Sequence, residues 1–311
     1  MCRFVAYMGP PVLAEDLLYK PRYSLVMAQS MHAEEMSVAV NGDGFGIGWY
    51  VPEIDNEPCV FRSVKPAWSD MNLRNLSRKI FASLIFAHVR AASPGSLVEE
   101  VNSHPFWYGQ LMFMHNGMVG DFQKIRRSLL AKLNDEAFYA IQGTTDSEHL
   151  FGLFLNHLEN PKGEVSTEEM VYALNRMFED LDELLLECEV TQHSYLNLCL
   201  TNGNSIIATR YTTNPNVQPA TLYYMYGRRY HCTEQGCRME PSIGTPNAIV
   251  LASEPFTARK ADWVKVGRNV MMIIDETMHI HFQDIQLSFE RYIQDQPFES
   301  GNPWSEFKRE V

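Results

Sequence analysis

Helical periodicity in this chain is concentrated in one central block, and segments patterned as strands fill the sequence on both sides of it. From Asp121 to Leu185 apolar residues recur three and four apart, whereas the flanking regions carry short apolar runs bounded by Gly, Pro, Asn and Asp. The regular strand–helix alternation that a doubly wound parallel sheet requires is missing. The pattern therefore predicts an α+β chain of layered, largely antiparallel sheets. A length of 311 residues is enough for one large domain with a substantial core.

Phe4 to Gly9 reads as a short buried strand with Cys2 at its leading end. Residues 27–36 are read as a short helix. Asn41 to Val51 interleaves glycines with apolar residues, which predicts a strand pressed against another backbone. No helix pattern follows it, which argues against a phosphate loop. Ser83–Arg90 and Leu111–Gly117 read as two neighbouring apolar strands that emerge into polar ends. Asn116-Gly117 also fits a plain turn.

In the helical block, Thr145 to Glu148 and Ser166 to Glu169 both have capping-box spacing. The second opens a helix whose Met170, Leu174, Met177, Leu181 and Leu185 share one face, predicted to be core. Beyond Glu189 a hairpin is expected to turn at Asn202-Gly203, followed by further strands. Residues 227–246 read as an irregular, solvent-facing loop. Its His231, Cys232 and Cys237 lack the close-set cysteine pairs of a zinc site, so no metal and no cofactor is expected.

The net charge of −12 makes the chain a poor candidate for binding nucleic acid or an anionic membrane, so neither is expected as a partner. No signal peptide and no membrane-spanning apolar run is read. Six scattered cysteines in a chain this size are read as reduced, in a cytoplasmic protein without need of disulfides.

Removal of Met1 would leave Cys2 as the N-terminal residue, with a nucleophilic thiol and an amine on the same residue. An α-amine titrates near ~7.7–8.0, so it can take the thiol proton at neutral pH without a histidine. Four more features point the same way: Ala87–Ser93 around Arg90, Asn102–Phe106 around His104, His115–Gly117, and Thr144–Glu148 around Asp146. A γ-glutamyl substrate presents an α-carboxylate, an α-ammonium and an amide. Arg90 can grip the carboxylate and Asp146 the ammonium, while the Asn116 side-chain amide and the Gly117 N–H form an oxyanion hole. The bland alternatives are a surface ion pair for Arg90 and a helix-start carboxylate for Asp146.

Together with Asp43–Tyr50 and Leu251–Pro255, these stretches resemble the class II glutamine amidotransferases of the N-terminal nucleophile hydrolase superfamily. The likeness is to the stand-alone branch that includes the ergothioneine-pathway γ-glutamyl amidohydrolase and the yeast glutathione-degradation subunit. It implies a four-layer αββα sandwich, with an amidotransferase-type domain over 1–290 and a polar tail over 291–311. It assigns Cys2, Asn116 and Gly117 to catalysis and Arg90 and Asp146 to substrate. Ser93 is expected to bind the glutamyl moiety, and Asn102 and His104 to orient the site from behind. Many synthase-linked relatives have Trp where this chain has Ala91. No acceptor domain is read, so hydrolysis of a small γ-glutamyl compound is expected ahead of work with a partner subunit, and both ahead of an inactive binding protein with the same fold. Tyr226–Cys237 and Trp107 are expected to meet the other half of the substrate.

Overall fold

Alternation along the strands sorts the chain into two antiparallel sheets in the computed structural model, which describes residues 2–30, 40–92 and 97–285. The first sheet contains β1 (Arg3–Leu13), β2 (Phe45–Trp49), β3 (Cys59–Ser63), β4 (Phe81–Val89), β9 (Tyr223–Gly227), β12 (Ala248–Ala252) and β13 (Val264–Lys265). Its spatial order is β13-β9-β12-β1-β4-β2-β3. The second contains β5 (Phe106–Tyr108), β6 (Leu111–Met118), β7 (Tyr195–Thr201), β8 (Ile206–Arg210), β14 (Val270–Ile274) and β15 (Ile280–Asp284), in the order β15-β14-β8-β7-β6-β5. Strands distant in sequence pair in both sheets: β1 with β12 in the first, and β6 with β7, across the inserted central helices, in the second.

Even-numbered residues of β1, Phe4, Ala6 and Met8, face the second sheet with Leu84, Phe86, Ile249 and Leu251. They meet Met112, Met114, Cys199, Ala208 and Met272 there. Odd-numbered Val5 and Tyr7 face the opposite way, toward α1 (Ala14–Leu18), the helical turn Leu25–Gln29 and α2 (Met71–Leu76). On the far side, α3 (Phe122–Lys132), α5 (Asp146–Leu155) and α6 (Thr167–Glu187) cover the second sheet. Between α3 and α5 lies α4 (Asp135–Ala140). These are the expected four layers, and each apolar face is buried against another.

The glycine-rich strand is pressed against backbone as expected. A Cβ at Gly46 would lie 2.1 Å from the His104 carbonyl oxygen. The hairpin forms at Asn202-Gly203, where Gly203 takes φ +93° and Asn202 Oδ1 accepts from the Asn204 and Ser205 amides. At α6 the capping box is complete between Ser166 and Glu169. At α5 only half of it forms: Thr145 accepts from the Glu148 amide, but the Glu148 carboxylate turns to the Gln142 and Gly143 amides.

Several expectations need correction. Residues 229–240 are a hairpin of β10 (Arg229–Thr233) and β11 (Gly236–Glu240), closed by a Cys232–Cys237 disulfide. The two cysteines are directly opposed across the strands, which the irregular-loop reading did not foresee. The chain is thus not wholly reduced. The segments ending at Arg90 and Gly117 lie in facing sheets, not side by side in one sheet. The short helix expected over 27–36 is helical at Leu25–Gln29, and 31–36 fall outside the described residues. Met1, Ser93 and the tail over 291–311 are likewise outside them. Among the described residues no helix is long and apolar enough to cross a membrane.

Candidate active site

The rows that build the apolar space between the sheets turn polar at one shared end. The β1 row Phe4–Ala6–Met8 begins with Cys2, and the β4 row Leu84–Phe86 continues into His88 and Arg90. On β6, Met112 and Met114 lead to Asn116; on β7, Cys199 leads to Asn197; on β12, Ile249 and Leu251 lead to Ser253. A period of two keeps all of these side chains on the inner faces. Antiparallel register then brings the ends together: Arg3 stands opposite Val89, Val5 opposite Ala252, and Asn116 opposite Asn197.

Cys2 is half-buried, with its sulfur 3.4 Å from the Ala91 amide nitrogen, which donates to it. Ala91 directly follows Arg90. The Arg90 guanidinium is buried and donates to the Leu97 carbonyl at 3.1 Å. Burial draws its pKa below the ordinary value, while Cys2, Asp43 and Asp146 are close enough to oppose that shift electrostatically. Cys2, Arg90 and Asp146 therefore share one electrostatic environment.

Asn116 is 1% exposed, its Nδ2 donating to Ser253 Oγ at 3.3 Å. Ser253 Oγ also accepts from the Phe4 amide at 3.0 Å, so a single hydroxyl links Asn116 to the strand that begins with Cys2. At Gly117 a Cβ would fall 1.9 Å from the Tyr195 carbonyl oxygen, so no side chain fits beside Asn116. Asp146 opens α5, its Oδ2 accepting from the Val119 amide at 2.8 Å and its Oδ1 from the Ser147 amide at 2.8 Å.

The loop before Asp146 is clamped from behind. Glu148 accepts from the Gln142 and Gly143 amides at 3.0 and 2.6 Å, and Asn102 Oδ1 accepts from the Thr144 amide at 2.9 Å. Asn102 also donates to Leu97, the residue that receives Arg90. Three consecutive amides, Gln142 to Thr144, are held. His104 packs tilted against His88 at 4.2 Å and meets Phe106 edge-on at 4.6 Å. Burial pushes His104 far below the ordinary histidine range and His88 down to about 3; His115 is also lowered by burial, against the charge of Asp146. The three histidines are neutral at pH 7, so the positive charge near Cys2 comes from the arginines Arg90 and Arg3.

Trp107 lines a cavity of about 200 Å³ with Arg62, Tyr139, Gln142 and Glu148, and Arg62 stacks on its ring at 4.7 Å. Glu148 and Asp146, two apart on α5, point to different sides of the loop. The stretch Tyr226–Cys237 does not reach the site: Gly227 pairs with Ala248, at the far end of β12 from Ser253. Its hairpin instead covers the outer face of the first sheet, with Tyr230 near Tyr7. Sequence reasoning missed Asp43, Asn197, Ser253 and Glu148 as members of this region. Asp43, Ser253 and Glu148 stand inside stretches that carried the resemblance, whereas Asn197 lies in an otherwise apolar strand and gave no signal.

The family model for class-II glutamine amidotransferases matches residues 23–285. A probable glutamine amidotransferase of Saccharomyces cerevisiae, DUG3, is 35% identical over 303 residues, covering 90% of this chain and 84% of its own. The γ-glutamyl-hercynylcysteine sulfoxide hydrolase of Mycolicibacterium smegmatis is 25% identical, over 82% of this chain and 88% of its own. Among solved structures, a glutamine aminotransferase class-II domain protein from Silicibacter pomeroyi superposes with a TM-score of 0.62 at 24% identity, covering 91% of this chain and 99% of its own. Glutamine phosphoribosylpyrophosphate amidotransferase of B. subtilis superposes at 0.55 with 14% identity, over 92% of this chain and 49% of that one. The structural likenesses establish the fold, an α+β sandwich of the N-terminal nucleophile hydrolase type.

Proposed function

The chain belongs to the class-II glutamine amidotransferases, and from that premise we propose that it hydrolyses a γ-glutamyl amide through Cys2. The reading is carried by the convergence of Cys2, Arg90, Asn116 and Asp146 at one polar end of the space between the sheets.

In the proposed reaction Met1 is removed and the free α-amine of Cys2 takes the thiol proton. The thiolate attacks the γ-carbonyl carbon, and the oxyanion is held by Asn116 Nδ2 and the Gly117 N–H. As the carbon–nitrogen bond breaks, the protonated amine returns its proton to the leaving amine, giving a γ-glutamyl thioester. Water, deprotonated by the same amine, attacks the thioester; glutamate leaves and the thiol is restored. Arg90 binds the substrate α-carboxylate, and Asp146 binds the α-ammonium through the acceptor capacity its two amide bonds leave. Ser93 is assigned to the same glutamyl half. Asn102 and His104 support the loop and strand behind them. Trp107, paired with Met112 and facing the cavity beside Glu148 behind the loop, is given no part in the reaction. The free cysteines Cys2, Cys59, Cys188 and Cys199 fit a cytoplasmic setting, to which the hairpin disulfide is the exception.

The test combines intact mass with glutamate release from glutamine, glutathione and γ-glutamyl-cysteine thioether or sulfoxide compounds. Loss of Met1 with release from one of these, abolished in Cys2→Ala, is the expected result. A Cys2→Ala protein with normal release rejects the mechanism. Loss of Met1 with silence on every substrate would favour a subunit that needs a partner chain.

A further inference from the structure

The residue after the nucleophile is an arginine that is 1% exposed, and its position needs an explanation. Arg3 Nε and Nη2 both donate to Glu254 Oε1, at 2.9 and 2.6 Å, and Nη1 donates to the carbonyl oxygen of Cys2 at 2.9 Å. Glu254 is 6% exposed and follows Ser253, which exchanges two bonds with Phe4: Phe4 N–H to Ser253 Oγ and Ser253 N–H to the Phe4 carbonyl. The Glu254 carbonyl accepts in turn from Gln29 Nε2 at 3.3 Å. One dipeptide, Ser253-Glu254, thus fastens residues 2 to 4 through backbone and side chain together.

Stability alone is a poor reason for this arrangement. Taking two charges out of water offsets most of what their attraction returns, and apolar replacements of buried pairs are often no less stable. What the pair does is geometric. Once Met1 is gone, Cys2 has no preceding peptide to restrain it, and chain ends fray unless tied down. Fixing its carbonyl fixes the plane from which both its amine and its thiol are set. A planar guanidinium serves Glu254 and the Cys2 carbonyl through a fixed, spread fork, whereas an ammonium's three donors sit on one nitrogen and hold neither partner in a set direction.

The geometry points to Arg3 and Glu254 as positioning residues, which hold the amine and thiol of Cys2 in the relation that proton transfer requires. This rests on Cys2 being the nucleophile. The proposed reaction places neither residue against substrate, so their loss is expected to act on kcat and to leave KM nearly unchanged.

The experiment uses the full chain, with Met1 removal confirmed by intact mass in every variant. An Arg3→Met/Glu254→Met double variant removes both charges and leaves neither buried alone. Its kcat is expected to fall roughly 10- to 100-fold, the scale on which a small misplacement of a reacting group acts. KM is expected to stay within about threefold, and Arg3→Lys is expected to recover only part of kcat. Purely structural roles would lower the melting temperature and leave kcat unchanged below it. A folded, Met1-free double variant with wild-type kcat overturns the proposal. If the double variant does not fold, Arg3→Lys decides instead, and wild-type kcat there overturns it too. Cys2→Ala, measured beside them, separates the two claims: activity in that variant removes the nucleophile itself, whereas inactivity with a fully active double variant removes only the anchor.

Discussion

Replacing Asn116 with alanine tests the oxyanion assignment with little disturbance elsewhere. The side chain is buried, and in the resting structure its Nδ2 donates only a long 3.3 Å bond to Ser253 Oγ. Ser253 keeps its bond from the Phe4 amide when Asn116 is cut back, so the serine is not stranded. Removing one oxyanion donor costs about 2.7–4 kcal/mol of transition-state stabilisation. In this site the wild-type amide must give up the Ser253 bond to reach the oxyanion, and a bond of that kind is worth roughly 1 kcal/mol. The difference, about 2–3 kcal/mol, corresponds to a fall in kcat of about 30- to 150-fold. KM is expected to change little, because the donor acts on charge that develops only in the transition state. Steady-state glutamate release is the assay, with urea denaturation as a check that the variant is folded. A kcat within about threefold of wild type, alongside an inactive Cys2→Ala, would refute the assignment of Asn116.

Acidification is expected to destabilise the protein before most carboxylates titrate. Burial pushes His88 from 6.5 down to about 3, so between those values the unfolded chain holds a proton that the folded chain refuses. Its contribution is therefore complete above pH 6.5 and is lost as pH falls, by up to about 1.4 kcal/mol per pH unit. His104 and His115 shift in the same direction, and Glu148, raised by burial, acts in the opposite one. Urea denaturation between about pH 7 and about pH 5 checks this, and unchanged stability across that window would contradict a neutral histidine layer. Separately, Gly46→Ala puts a Cβ 2.1 Å from the His104 carbonyl oxygen and 3.1 Å from Arg62 Cγ. Because the closer neighbour is backbone, the variant is expected to lose at least about 1–3 kcal/mol and to melt earlier. An unchanged Tm would show that β2 does not lie against that loop as described.

Much of the site was legible because its residues stand in short stretches whose neighbours fix their surroundings. Apolar runs leading into Arg90 and Asn116 marked strand ends, and Asp146 stood at a helix start with a capping signal. Other members left weaker traces. Asn197 is embedded in a strand that is otherwise apolar, and only its register opposite Asn116 places it at the site. Glu148 read as the far partner of a capping box, but its carboxylate is drawn to the Gln142 and Gly143 amides instead. The hairpin at 229–240 was hidden because its pattern is polar, and cross-strand apposition of Cys232 and Cys237 is a matter of register, not of spacing alone.

By itself, the order of the chain determined that the protein would be layered and antiparallel, since period-two rows must bury one face and strands and helices do not alternate regularly. It also determined which residue types were available for chemistry: a thiol that can become N-terminal, an arginine, an amide and a carboxylate. Tertiary structure decided where they meet. Register between strands far apart in sequence brings Cys2, Arg90, Asn116 and Ser253 to the same end of the two sheets. It also sends Tyr226–Cys237 to another face, although nothing in the local sequence distinguishes the two outcomes. The physical reason is that local pattern fixes which way a side chain points, whereas long-range pairing fixes what it points at.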